Sequence, residues 1–425
     1  MSLSSSAPKF DRHGQMSTRV LLASVMLFAG SIASAQPIPA NAPAARPPAP
    51  QPPAPPPRPS APQFGDPLSG LTGVQLAAFT DGKTDFREVE TPGDGLGPIF
   101  NGNSCAACHN GPALGGSSNI TATRFGRVAN GVYDPLTSLG GSLLQEKSIS
   151  PEGLERIPQQ ANVTARRQTT ALFGLGLVEA IPDATILKGV RTKAVDGVLG
   201  KASIVEDVAT GSRLVGRFGW KGQQATLLAF AGDAYLNEMG ITNRLFPTEN
   251  APNGNTSLLK KLDKVKDPED QPDPATGQAG VDLLADYMRF LAPPPSLPVT
   301  ASTAFGARFF LDAGCASCHT PSMTTGPSPV AALSNQSVWL YSDLLLHDMG
   351  TLGDGIVQGS ANAREMKTPP LWGVRASAPY LHDGRARTLD DAIRAHEGEG
   401  RVSRDKYLKL APDQQKLLVA FLNSI

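Results

Sequence analysis

Apolar positions change their spacing along the chain, and each change marks a different kind of segment. Residues 20–30, "VLLASVMLFAG", are an unbroken apolar run of about eleven residues, too short to cross a bilayer, which needs roughly 20. Arg19 precedes the run and "SIASAQ" follows it, with the small residues Ala33 and Ala35 where a signal peptidase cuts. Residues 1–35 therefore read as an export signal cleaved before Gln36, with Met16 as an alternative start. No cysteine follows the run to carry a lipid anchor. Residues 36–64 are dominated by "PIPANAPAARPPAPQPPAPPPRPSAP", too proline-rich to pack and expected to form an extended polyproline II tether. Farther along, "VDLLADYMRFL" (281–291) and "DQQKLLVAFLNSI" (413–425) carry the spacing of amphipathic helices. Between them "APPPSLP" (292–298) breaks any helix and marks a boundary. Alternation around "ATG" in residues 201–220 predicts a β-hairpin leading to Trp220, and "KKLDKVKDPEDQPDP" (260–274) predicts a solvated loop.

Composition narrows the class without naming it. A chain of 425 residues with 40% hydrophobic content can bury one large core or two ordinary ones, which excludes a disordered or collagenous protein. The formal net charge is zero, so nothing points to nucleic acid or to an anionic membrane surface.

Chemistry enters with the cysteines. There are four, in "CAACH" (Cys105, Cys108, His109) and "CASCH" (Cys315, Cys318, His319). Two disulfides or one shared zinc would use the sulfurs. Neither explains a histidine directly after each second cysteine. In c-type haem attachment two thiols add to the vinyl groups and the adjacent imidazole becomes the proximal iron ligand. Two such motifs behind an export signal predict two covalently bound c-type haems.

The two halves share more than these motifs. "RQTTALFGLG" (167–176) resembles "MKTPPLWGVR" (366–375), and "WKGQQATLLAFAGDA" (220–234) aligns without gaps on "HDGRARTLDDAIRAH" (382–396). The expected fold is mainly α: two cytochrome c-like haem domains related by a pseudo-repeat, residues 65–295 and 296–425, the first enlarged by insertions that include the hairpin. The six histidines are His13, His109, His319, His347, His382 and His396, and none lies between His109 and His319. The first iron thus has no local histidine for its sixth position, only the thioethers Met239 and Met288. Where the repeat offers His396 in the second half, it offers Ala234 in the first. The asymmetry predicts one open, reactive iron and one closed, electron-transferring iron.

From about residue 68 to 425 the chain resembles the dihaem oxidoreductases, also called thiol oxidoreductases, relatives of bacterial dihaem cytochrome c peroxidase and MauG. The residues that carry the resemblance are "GLGPIFNGNSCAACH", "GLGLVEAIPD", "GRFGWKGQQATL", "LLLHDMG" and "APYLHDGRARTLDDAIRAH". The resemblance implies that Trp220 is the tryptophan between the haems that assists electron passage. It implies that His396 is the distal ligand of the second haem, where the peroxidases place methionine and MauG tyrosine. It gives Glu238 the role of the general acid/base toward peroxide. Phe230 stands where the peroxidases have a glutamine, which makes the first pocket more apolar. His347, Met349 and His382 are expected to line the second haem or brace its propionates, with His347 or Met349 as competitors of His396. Calcium between the domains, held largely by carbonyls near "SAPYLHDG", is a further implied ligand.

The resulting expectation is a periplasmic, or secreted, dihaem c-type oxidoreductase with no membrane span after signal cleavage. It would activate peroxide or dioxygen at the first haem, with electron transfer through the second and a small periplasmic electron-transfer protein as donor or acceptor. The alternatives are a plain dihaem electron carrier and an oxygenase acting on an apolar substrate. A thiol oxidoreductase finds no support, because haem attachment uses every cysteine.

Overall fold

Two helix pairs, each crossing at a glycine, frame the structure. The computed structural model describes residues 63–266 and 268–425; the export signal and nearly all of the tether lie outside the described residues. In the first pair, Gly73–Asp85 packs on Gly280–Phe290. A methyl group at Gly82 would overlap the carbonyl of Leu283, so the backbones touch where a side chain is missing. In the second pair, Ala301–Asp312 packs on Pro412–Leu422, and a methyl group at Gly306 would overlap the carbonyl of Leu417. Each leading helix is started by a threonine: Thr72 Oγ1 accepts from Gln75 N at 3.3 Å and Thr300 Oγ1 from Thr303 N at 3.2 Å. Each is followed by a cysteine–histidine motif, so the two cysteine pairs enter from comparable positions.

The expected amphipathic helices are present. Gly280–Phe290 buries Val281, Leu284, Ala285, Tyr287, Met288 and Phe290; Pro412–Leu422 buries Leu418, Phe421 and Leu422. The two stretches aligned by sequence also share local structure. Thr226 and Thr388 each cap a helix, Leu227–Ala234 and Leu389–Arg394, and Gly222 and Gly384 both have positive φ (59° and 73°). No regular element occupies residues 292–300 apart from a bridge at its edge, in keeping with the proline-rich break.

Short antiparallel strands supplement the helices. Ile204–Asp207 pairs with Ser212–Val215 around the expected turn. A three-stranded sheet orders Val132–Asp134, Thr121–Ala129 and Val163–Gln168. Its tight turn is Asn130-Gly131, with φ of 52° and 77°, a local signal for a primed hairpin turn. The loop expected at 260–274 differs in two ways. Its first residues complete the helix Thr256–Leu262, and Asp270 folds inward, where its Oδ1 accepts from Gly280 N at 2.7 Å.

The larger apolar core runs from Leu68 to Leu345, so Leu333, Val338, Leu340, Leu344 and Leu345 return across the break to pack with the N-terminal helices. A smaller core gathers Phe310, Leu389, Tyr407, Leu418, Phe421 and Leu422. Polar contacts also cross. Asp354 Oδ2 accepts from Arg167 Nε at 2.8 Å, while its Oδ1 lies 2.9 Å from Lys221 Nζ, with all three side chains buried. A buried carboxylate with two cations is costly to separate, which ties the segments together wherever they are in sequence.

Candidate haem sites

At the first motif, the single turn Cys105–Cys108 is capped by Ser104, whose Oγ accepts from Ala107 N at 3.1 Å. His109 then turns its Nδ1 to the carbonyl of Gly116 at 3.1 Å, with the backbone of Thr170 as a second hydrogen-bond partner of the ring. Burial lowers its pKa to about 4, so the imidazole is neutral as a metal ligand must be. Phe86 meets its ring edge-on with centroids 6.1 Å apart, and Tyr287 packs behind Phe86 at 4.7 Å. Met239 and Met288 are 4% and 2% exposed, both within the larger core.

Glu238 belongs to a π-helical turn, Tyr235–Met239, that continues the helix Leu227–Ala234. Its carbonyl accepts from Asn101 N and Gly102 N at 2.8 and 3.0 Å, which docks the turn on the loop leading to Cys105. Its carboxylate Oε2 accepts from Asn101 Nδ2 at 3.1 Å. Burial raises the carboxyl pKa and outweighs this hydrogen bond and the charge of Arg124. Asn101 is a partner that sequence reading missed, although it lies within the motif stretch.

The second motif has an imidazole on each side. His319 Nδ1 lies 3.1 Å from the carbonyl of Tyr341, and His396 Nδ1 lies 2.8 Å from that of Ala392. Each contact leaves Nε2 free, and the ring centroids are 6.4 Å apart. Imidazole nitrogen binds a first-row metal at about 2.0–2.1 Å, which places two rings on opposite sides of one ion with centroids about 6 Å apart. Burial lowers both pKa values, that of His319 to about 4.

His347 is arranged differently. Its Nε2 lies 2.9 Å from Asp343 Oδ2 and its Nδ1 2.7 Å from Glu399 Oε2, so both nitrogens are occupied. Burial opposes protonation, but hydrogen bonds to Asp343, Cys318 and Glu399 prevail and push its pKa up to about 12. Glu399 Oε2 also accepts from Leu199 N at 2.8 Å and Gly200 N at 3.1 Å, pinning a loop of the N-terminal part. Sequence reading missed both carboxylates, since Asp343 is concealed in an otherwise apolar stretch and Glu399 is remote.

A cavity of about 310 Å³ is lined by Cys315, Cys318, His319, His396, Trp220 and Phe230 and reaches Ser117 beside the first motif. Trp220 Nε1 donates to the carbonyl of Gln168 at 2.9 Å, and its ring meets His382 edge-on at 6.3 Å. Phe230 is stacked on Phe218 at 6.0 Å, an apolar wall where an amide would have been polar. Met349 lines the same cavity.

All four cysteines are unpaired, and burial pushes the thiols of Cys105 and Cys315 up, the latter to about 12. Among the described residues, the one cluster of potential metal donors is Cys318, Asp343 and His347, so the sulfurs do not converge as a zinc site requires. At the second motif, opposed imidazoles with their Nδ1 atoms held by carbonyls and paired thiols at an apolar cavity fit haem; at the first, the fit rests on the paired thiols and on a buried, neutral imidazole held by the Gly116 carbonyl.

These features define a protein with two separate cysteine–histidine motifs in a mainly helical frame. Residues 146–425 match the family described as "Di-haem oxidoreductase, putative peroxidase", and the chain belongs to that family. It is similar to cytochrome c peroxidase Ccp of Escherichia coli (strain K12), 27% identical over 190 residues, covering 41% of this chain and 38% of that one. Methylamine utilization protein MauG of Methylorubrum extorquens is 30% identical over 133 residues, covering 28% of this chain and 33% of its own. The matches thus span about a third of the length of these relatives. Among solved structures, a variant of the diheme peroxidase BthA from Burkholderia thailandensis aligns over 86% of this chain and 90% of its own, with 15% identity and a TM-score of 0.38.

Proposed function

We propose that the protein is an exported dihaem c-type oxidoreductase of peroxidase type, with a reactive first site and an electron-transferring second site. The observation that carries this reading is the asymmetry: His319 faces His396 across 6.4 Å, whereas His109 belongs to a half without a second histidine. In this reading Cys105 and Cys108, and Cys315 and Cys318, hold the two haems as thioethers, and His109, His319 and His396 supply imidazole ligands. When bound, haem supplies the redox chemistry and, at an open position, a binding site for peroxide or dioxygen.

The protein's own residues do the rest. Glu238, held by Asn101, receives a proton from peroxide oxygen and returns one to the leaving oxygen. Phe230 and Phe218 exclude water from the approach to that site. Trp220, fixed through its indole N–H and its carbonyl, provides the aromatic bridge for electron passage between the sites. A small periplasmic electron-transfer protein is the proposed donor. The internal repeat, with domains at 65–295 and 296–425, accounts for the paired helix crossings and caps. Calcium is proposed at the 377–384 stretch, where Gln168 Oε1 is buried against Gly384 with no hydrogen-bond donor.

Electron paramagnetic resonance of the isolated, oxidised protein tests the reading directly. One high-spin and one low-spin ferric signal are expected, with peroxide perturbing the high-spin one first. Two low-spin signals, insensitive to peroxide, carbon monoxide and dioxygen, would show a plain electron carrier. The stacked Phe218–Phe230 wall favours one second reading, oxygenation of an apolar substrate. Its signature is dioxygen uptake with such a substrate in the absence of peroxide.

A further inference from the structure

Among the described residues, the buried lysines and arginines have acidic partners, with one exception. Lys221 lies 2.9 Å from Asp354 and also donates to the carbonyl of Asn362, Arg167 shares the same carboxylate, and Arg217 pairs with Asp183. Lys367 is equally enclosed, at 7% exposure, yet its ammonium finds one acceptor among the described residues, the carbonyl of the adjacent Thr368 at 3.3 Å. An ammonium has three donors. A buried one left without a counter-charge is costly.

Asp343 is the acid that acts on Lys367, but its oxygens are already used. Oδ2 lies 2.9 Å from His347 Nε2, and Oδ1 accepts from Leu345 N at 3.0 Å. Burial lowers the lysine pKa to about 8, the direction expected of a cation awaiting an anion. Position identifies where that anion belongs. Lys367 lines the cavity shared by Cys315, Cys318, His319 and His396. It ends the strand Glu365–Lys367, whose pairing with Leu346–Asp348 fixes it, and its own N–H donates to the carbonyl of Trp220 at 2.9 Å.

We infer that Lys367 is the counter-ion of a carboxylate of the prosthetic group in the second site, and that this contact places a fixed positive charge beside Trp220. This inference rests on the haem reading above. The carboxylate is a propionate, the anionic group that haem carries into an otherwise apolar cavity. Lys367 is a positioning residue: it orients the group and favours its reduced state, in which the added electron is stabilised by the neighbouring cation.

The test is potentiometry of the holoprotein, following the two ferric signals separately. Lys367→Gln should lower the equilibrium constant for reduction of the second haem about tenfold, which is about 59 mV for one electron. The first haem should be unmoved, and Lys367→Arg should retain the wild-type potential. An unchanged second potential in Lys367→Gln, or an equal fall in Lys367→Arg, overturns the inference. A second measurement needs no variant. With haem carboxyls carbon-13-labelled and lysine nitrogen-15-labelled, the redox infrared difference spectrum of the wild-type protein should show both labels in the electron step of the second haem. Labelled carboxylate bands without the lysine band overturn the inference. Haem content separates the two failures, because less than two covalent haems per wild-type chain defeats the haem reading itself.

Discussion

The first and second attachment motifs share a spelling and differ in what stands opposite them. At the second, His396 projects from the end of Leu389–Arg394 toward His319, with both outer nitrogens tied to backbone carbonyls. At the first, the corresponding helix continues into the π-helical turn that carries Glu238. The same local start, a threonine cap after a positive-φ glycine, thus leads to His396 in one half and to Glu238 in the other, the proposed ligand and the proposed acid/base group. Each cysteine–histidine motif is five adjacent residues, whereas the helix that in the proposed reading decides reactivity lies far along the chain in both halves.

The sharpest way to break this comparison is to remove one centre. Replacing Cys315 and Cys318 by serine should reduce covalent haem from two per chain to one, read by a denatured pyridine haemochrome assay, and leave the high-spin signal. Loss of that signal would mean the assignments are reversed. Next in size, Glu238→Gln should slow the reaction with peroxide by about 10²- to 10⁴-fold with both haems retained, since it removes a single proton-transfer group. Its raised pKa also has a direction: the carboxylate form needed to accept a proton is lost on acidification at a pH above the ordinary 4.5. Stopped-flow rates should therefore fall on the acid side above that value, a limb missing in the variant.

His396→Ala should convert the low-spin signal to high-spin and make the two sites alike in coordination. Retention of the low-spin signal would assign the ligand to Met349, as both His347 nitrogens are held by carboxylates. A smaller effect is expected in the frame. Gly306→Ala forces a methyl group into the carbonyl of Leu417 and should cost about 1–3 kcal/mol, measured by chemical unfolding of the holoprotein. Gly82→Ala tests whether the first pair is as intolerant.

The smallest effect concerns the clamp of His347 and Glu399. Burial alone would raise the Glu399 pKa, but the hydrogen bond from His347 and those from Leu199 and Gly200 bring it from 4.5 down to about 2. Its contribution is present above 4.5 and lost as pH falls toward 2. His347, raised from 6.5, contributes fully below 6.5 and loses its contribution as pH rises through its folded value. Stability from the pair should be greatest between these limits, and Glu399→Gln should flatten the profile of unfolding free energy against pH.

Much of this was legible because it is local. The attachment motifs, the two amphipathic helices and the hairpin at 204–215 depend on neighbours within a few residues. The turn at Asn130-Gly131 was equally readable, since both positive φ values suit those residues, yet the sheet it organises also needs Val163–Gln168, far along the chain. Asp354 between Arg167 and Lys221, and Lys367 facing the cavity, had no local signature. Lysine in "MKTPPL" reads as a surface residue until the strand pairing and the wall around it are known.

The first helix pair is encoded entirely before the break at 292–298, in Gly73–Asp85 and Gly280–Phe290, whereas both Cys315 and the cavity wall around Lys367 and His396 come after it. On the proposed export route the chain emerges N-terminus first. That helix pair can then form before the second pair of thiols leaves the membrane, whereas the core around it closes only when Leu333 to Leu345 follow. On the haem reading, residues 366–396, which wall the cavity at those thiols, arrive after them, so the order of emergence leaves the second pair open to its porphyrin until they do.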